Sequence, residues 1–153
     1  MKFVKYGVSA LLVILVVIAF LAPIGPLPGF RIGGTEAAVP ESWPNTDSLH
    51  EVKLQIPGTI PRVVIIWIID YQSELFVVGS SESGWVKMIG QGSPVQLRIE
   101  DMTYALNATP VETGWEPVME AYVKKYESDY PEIVAGFPSL EDARNQISVF
   151  KLL

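Results

Sequence analysis

The chain of 153 residues has no cysteine and a single histidine, His50. Without thiols, a disulfide framework and thiolate metal sites are excluded. One imidazole would leave any metal to carboxylates, and no acidic cluster has ligand spacing, so no metal is expected. Basic charge is scarce too: 11 Lys and Arg stand against 17 Asp and Glu, a net charge of −6. From residue 31 onward the balance is 9 basic to 17 acidic, or −8. An acidic chain with no basic stripe repels phosphate backbones, so nucleic acid is not an expected partner. There is no internal repeat and no low-complexity tract. Catalytic groups are not clustered at any spacing that defines a reaction, and His50 has no evident partner.

Charge is missing altogether from Tyr6 to Phe30, behind the basic start Met1-Lys2-Phe3-Val4-Lys5. The most apolar part runs from Gly7 to Ala22. As a helix it would be about 24 Å long, short of the roughly 30 Å hydrocarbon core. Phe3, Val4 and Tyr6, with Lys5 reaching to the interface, would lengthen it enough to span. A cleaved secretory signal is the competing reading, but Phe20-Leu21-Ala22 followed by Pro23 is a poor cleavage site. Residues 1–24 are therefore read as an uncleaved anchor. Lys2 and Lys5 precede the span and Arg31 follows it, which places a single-pass protein's domain on the extracytoplasmic face of the membrane.

Residues 25–47 hold Pro26, Pro28, Gly29, Gly33, Gly34, Pro40 and Pro44 without apolar period, the composition of an irregular linker. The folded domain is expected over 48–153. Glu51 to Ile56 alternates polar and apolar, as a half-buried strand does. Arg62 to Asp70 is β-branched and apolar on both faces, which predicts a strand covered on both sides. A turn at Tyr71-Gln72-Ser73 leads to a second strand, Glu74 to Ser81, forming a hairpin. Trp85 to Gln91 reads as a short helix or turn. Val95, Leu97 and Ile99 share one face of a strand, Glu100-Asp101 turns, and Met102 to Ala108 returns.

Thr113-Gly114-Trp115-Glu116 fits a helix-capping box. Trp115, Val118, Met119, Tyr122, Val123 and Tyr126 then form one apolar helical stripe ending near Tyr130-Pro131. Ser139 to Asp142 caps a last turn, and Ile147 to Leu153 reads as a closing strand. About six strands and one amphipathic helix predict a mainly β protein, a small barrel whose mouth the helix covers.

Pro61-Arg62 through Trp67 to Ile69, Glu74-Leu75-Phe76-Val77-Val78-Gly79-Ser80-Ser81, and Gly84-Trp85-Val86-Lys87 carry a resemblance. They look like the "Pro-Arg-x-x-x-x-Trp" strand, the "Leu-(Tyr/Val)-Val-x-Ser" strand and the "Trp-x-(Arg/Lys)" turn of the split β-barrel flavin-binding superfamily. That superfamily is typified by pyridoxamine-phosphate oxidases and deazaflavin-dependent nitroreductases. Ala121-Tyr122-Val123-Lys124-Lys125-Tyr126 is similar to an "Ala-Tyr-x-x-Lys-Tyr" stretch in a branch of the same fold. The resemblance covers residues 51–153. It implies a homodimer holding flavin mononucleotide (FMN) or a deazaflavin between barrels, as an oxidoreductase whose hydride chemistry belongs to the cofactor. It further implies that Ser80, Ser81, Lys87 and Arg62 face the cofactor phosphate and that Trp67 or Trp85 lies beside its ring.

The chain departs from the family where a basic Gly-Arg-x-Ser-Gly loop should precede Arg62. It has Pro57-Gly58-Thr59-Ile60-Pro61 instead. Bland readings stand beside the sharp ones: Trp67 as core, Ser80 and Ser81 as turn formers, Lys87 as a surface cation, Tyr122 and Tyr126 as packing. Three functions remain open. They are a membrane-anchored flavin or deazaflavin oxidoreductase, a non-enzymatic barrel for dimerisation or partner binding at the membrane, and a carrier of a small apolar ligand.

Overall fold

The computed structural model describes residues 2–21, 29–43 and 46–153, with side chains in the first helix described from 6 to 18. The Pro-rich exit from the apolar segment at 22–28 and Pro44 lie outside the described residues. The first helix, α1, is Lys2–Leu21. Its described side chains, Tyr6 to Ile18, are exposed. Among the described residues no helix is long and apolar enough to cross a membrane.

Alternating sequence builds the barrel wall. Its strands are β2 (Glu51–Ile56), β3 (Arg62–Tyr71), β4 (Glu74–Ser80), β5 (Ser93–Ile99), β6 (Met102–Pro110) and β7 (Ile147–Leu152). All six pair antiparallel in the order β6-β5-β2-β3-β4-β7, and β7 closes the ring onto β6. The closure is short, from Ala108↔Leu152 to Pro110↔Phe150. The other half of that β6 edge is taken by β1 (Thr35–Ala37), which runs parallel from Thr35↔Met102 to Ala37↔Tyr104. The β3–β4 hairpin turns on Gln72 and Ser73, both at positive φ (55° and 64°), the mirror-image turn that matches strand twist.

One face of each strand fills the interior. Leu54, Ile68, Leu75, Val77 and Leu97 are fully buried there with Phe150. Each such side chain contributes about 1.5–3 kcal/mol of burial. The predicted Val95, Leu97 and Ile99 face is inside as expected. The short helix α2 (Gly84–Ile89) plugs one end with Trp85, Val86 and Ile89. Trp85 is therefore core. Its indole lies over Gly79, where an added methyl would run into the ring, and near Phe150 at 6.0 Å between centroids. It offers no open face to a ligand, contrary to the role expected for it.

The amphipathic helix α3 (Glu116–Tyr126) does not cover the mouth; its stripe packs on the outer face of β3 and β4. Both faces of β3 are thus covered, as its composition required. The expected capping box does not form: Trp115 takes the N-cap position with no side-chain cap bond. Glu116 instead faces Arg144 at 3.7 Å. The helix stops at Tyr126, and α4 (Pro131–Val134) and α5 (Leu140–Gln146) follow. Ser139 caps α5 by accepting from the Asp142 amide, as its sequence predicted.

Part of the 25–47 stretch, expected to be an irregular linker, is laid against the barrel. Gly29 and Val63 exchange backbone hydrogen bonds at 2.9 and 2.8 Å. Gln55 donates to the Phe30 carbonyl, Arg98 to that of Ile32 and Thr103 to that of Gly33. Val63 and Ile32 are buried. An ordered strap on the wall thus precedes residue 48, because outward-facing polar side chains of β2, β5 and β6 supply donors to its carbonyls.

Candidate functional site

Strand alternation turns Trp67 and Ile69 outward, toward α3. The Trp67 ring stacks on Tyr126 with centroids 4.2 Å apart and an interplanar angle of 13°. Tyr130 lies 4.8 Å away, Tyr122 6.0 Å and Phe137 6.3 Å. Tyrosines 122, 126 and 130 recur every fourth residue, so the chain presents them on one side.

Polar groups are threaded through this aromatic layer, and each has partners. The Tyr126 hydroxyl accepts from the Ile68 amide at 3.0 Å and lies 2.7 and 2.8 Å from the Ile68 and His50 carbonyls. Burial holds its pKa above the ordinary tyrosine range, against the Ile68 hydrogen bond. Burial raises Tyr122 as well, with the neighbouring Tyr126 adding to it. Lys125 Nζ donates to the carbonyls of Thr46, Leu49 and Ile68 at 2.7, 2.9 and 2.8 Å, which uses all three of its protons. Burial pulls its pKa down, and Asp47 and Asp70 oppose that pull. His50, expected to be inert, has neighbours: Nε2 is 3.2 Å from Asp129 and Nδ1 3.4 Å from the Tyr130 hydroxyl.

Beside this layer is a cavity of about 360 Å³ between the wall and the helices. Trp67, Val78, Tyr122, Ile133 and Phe137 line it, with Ser80 and Gln146 as polar members. A second cavity, also about 360 Å³, lies on the other side of β7 and is lined by Lys87, Glu112, Arg144 and Ser148 among others.

The residues expected to hold a cofactor are not gathered in one place. Trp67 and Ser80 share the first cavity; Lys87 belongs to the second. Ser81 pairs its hydroxyl with Ser148 at 3.1 Å. Ser80 Oγ accepts from the Glu82 amide at 3.3 Å, a turn-former's bond. Lys87 donates to Glu82 at 2.7 Å and holds that exposed carboxylate's pKa below its usual value. Arg62 packs against Gly84 at the start of α2, and its Nε is buried with no hydrogen-bond partner among the described residues.

A flavin or deazaflavin can therefore be tested against the residues present. Trp67, its ring stacked on Tyr126, gives the cavity an apolar aromatic border of the kind a flat ring could lie against. The phosphate does not fit, because among the described residues no cation lines that cavity and Lys125 nearby is spent on backbone carbonyls. Among the described residues no group of three or more His, Asp or Glu could hold a metal. Sequence reasoning overlooked Tyr130, Phe137 and Lys125. The four-residue tyrosine spacing opposite Trp67 was the signal that could have found the first.

No family model matches the chain, and none of the curated proteins matches it. Similar solved structures include the following two. One is a NimC/NimA family protein from Clostridium acetobutylicum, with a TM-score of 0.48 and 14% identity over 67% of this chain and 73% of that one. The other is HutZ, the heme storage protein from Vibrio cholerae, with a TM-score of 0.47 and 17% identity over 69% and 81%. Both scores lie below 0.5, so the functional reading rests on this chain's own residues.

Proposed function

We propose that this chain is a membrane-tethered split-barrel module whose outer cavity binds a flat, uncharged, apolar ligand, and that it acts by binding rather than by catalysis. The observation that carries the reading is the lining of that cavity: an aromatic wall of Trp67, Tyr122 and Phe137 with no charged side chain among the described residues. A charged ligand would lose its hydration there without gaining a partner.

Titration of the protein with lumiflavin, which has the flavin ring but no phosphate, and with FMN tests the proposal. Lumiflavin should quench tryptophan fluorescence saturably in the parent and much less in Trp67→Phe, while FMN should not bind. Saturable FMN or deazaflavin binding with a shifted visible spectrum would overturn it.

That outcome would favour the second reading, a flavin or deazaflavin oxidoreductase working as a homodimer. One observation speaks for it: the flat Trp67 ring and the Ser80 hydroxyl border the same cavity. The missing cations would then have to come from a second copy.

The tether is α1. What supports it is the run Leu11 to Val17, all apolar and 47–62% exposed. Apolar surface of that extent is costly in water and at home in lipid. With Lys2 and Lys5 inside, the barrel would lie on the extracytoplasmic face. Resistance to alkaline extraction, and digestion of the barrel by protease added outside, are the expected results.

A further inference from the structure

The chain leaves α1 at Leu21 and is pinned to the barrel at Gly29 by its two hydrogen bonds with Val63. Only residues 22–28 lie between, so Leu21 and Gly29 are at most roughly 28 Å apart. The point of attachment is not central. Val63 is the second residue of β3, next to the loop that joins β2 to β3. The same end carries α2: a methyl added at Gly58 would lie 3.2 Å from Met88 Cε.

This end is apolar where it meets solvent. Ile60 is 66% exposed, Phe30 45% and Met88 36%. The loop Pro57-Gly58-Thr59-Ile60-Pro61 has no charge, and residues 57–60 are all exposed. Beside it runs a groove of about 400 Å³ lined by Pro57, Pro61, Pro94, Val95 and Leu106, among others. In the chain, Arg31 follows Phe30 and Arg62 follows the loop. At the opposite end of β3, Asp70 and Glu74 flank the hairpin turn; Glu74 is paired with Lys151, and Asp47 and Asp70 lie near Lys125.

We propose that the β2–β3 loop, with Ile60 at its tip and Phe30 and Met88 beside it, is a lipid-contacting surface that rests in the headgroup region of the bilayer holding α1. The inference rests on the anchor reading of α1. A short tether attached at one end brings that end to the bilayer. An uncharged tip then buries its apolar area in the headgroup region.

The cysteine-free chain allows a direct test. The full chain is placed in vesicles of phosphatidylcholine and phosphatidylglycerol. It carries one environment-sensitive label at a time, on Val13→Cys in α1, Ile60→Cys in the loop or Ser73→Cys in the distal turn. The Val13 and Ile60 labels should emit to the blue and be quenched by spin-labelled lipid, and the Ser73 label should do neither. An Ile60 label that stays aqueous while the Val13 label is in lipid overturns the loop contact and leaves the anchor standing. An aqueous Val13 label overturns the anchor reading and the orientation with it. Quenching of Ile60 and Ser73 alike overturns the one-ended orientation.

Discussion

The barrel interior and the layer between the barrel's outer wall and α3 are both buried, yet they are made of different chemistry. Inside, Leu54, Ile68, Leu75, Val77 and Leu97 pack with Phe150 and Trp85, and most of these side chains are aliphatic. Outside, Trp67, Tyr122, Tyr126, Tyr130 and Phe137 gather around a lysine ammonium and a tyrosine hydroxyl that bind backbone carbonyls. An aliphatic interior stabilises by area and shape alone. The aromatic layer ties particular backbone atoms of three segments together, and the apolar cavity lies against it. The first region holds the protein up; the second holds a surface in one arrangement, which is what a binding site requires.

Four perturbations would break or sharpen that contrast. The largest effect belongs to the interior. Phe150→Ala, at a side chain only 1% exposed, should cost about 3–5 kcal/mol in urea unfolding. A loss below about 1 kcal/mol would mean that the barrel core collapses around the gap and is not close-packed.

Next comes the ammonium of the outer layer. Lys125→Met keeps most of the stem but leaves the carbonyls of Thr46, Leu49 and Ile68 without their donor. About 2–3 kcal/mol should be lost. Faster amide exchange in residues 46–50, with the barrel strands still protected, would mark the loss as local to this layer. Uniformly faster exchange would show that the two regions unfold as one.

The third perturbation is alkaline pH, and the sign follows from the raised tyrosines. An unfolded tyrosine ionises near pH 10, whereas burial keeps folded Tyr122 protonated beyond that. Below pH 10 its contribution is intact. Above it the unfolded chain releases the proton first, and stability falls by about 1.4 kcal/mol per pH unit for this group. Tyr122→Phe should flatten the alkaline limb of a stability-against-pH curve by that slope. An unchanged limb would mean that water reaches the hydroxyl through the cavity.

The smallest effect lies outside both regions. Lys87→Ala removes an exposed pair with Glu82 and should leave the urea midpoint essentially unchanged. It should also leave lumiflavin quenching of Trp67 unaltered, since Lys87 lines the other cavity.

Much of the fold was legible in the sequence because alternation is a local signal. The strands at 51–56, 62–71 and 93–99 follow the predicted pattern, and so does the turn at Gln72-Ser73. The stripe from Trp115 to Tyr126 gave a helix, but a stripe says only that one face is covered. It does not say by what, and the helix lies on the wall where the mouth was expected. Nor does the local sequence show that Trp85 is core: Gly79, in β4, leaves the room that its indole fills. β1 was invisible, since Thr35-Glu36-Ala37 has no apolar period and owes its pairing to the half of the β6 edge that β7 leaves open.

The sequence by itself determined which segments extend, which coil and where apolar residues recur, because period and turn chemistry act between near neighbours in the chain. It also determined the absence of thiols and the shortage of cations. Only the tertiary structure decided that the ring closes, that Ser80 and Lys87 part into different cavities, and that Lys125 and Tyr126 bind the backbone of residues 46–68. Those outcomes depend on distances between atoms remote in sequence, and no local preference specifies them.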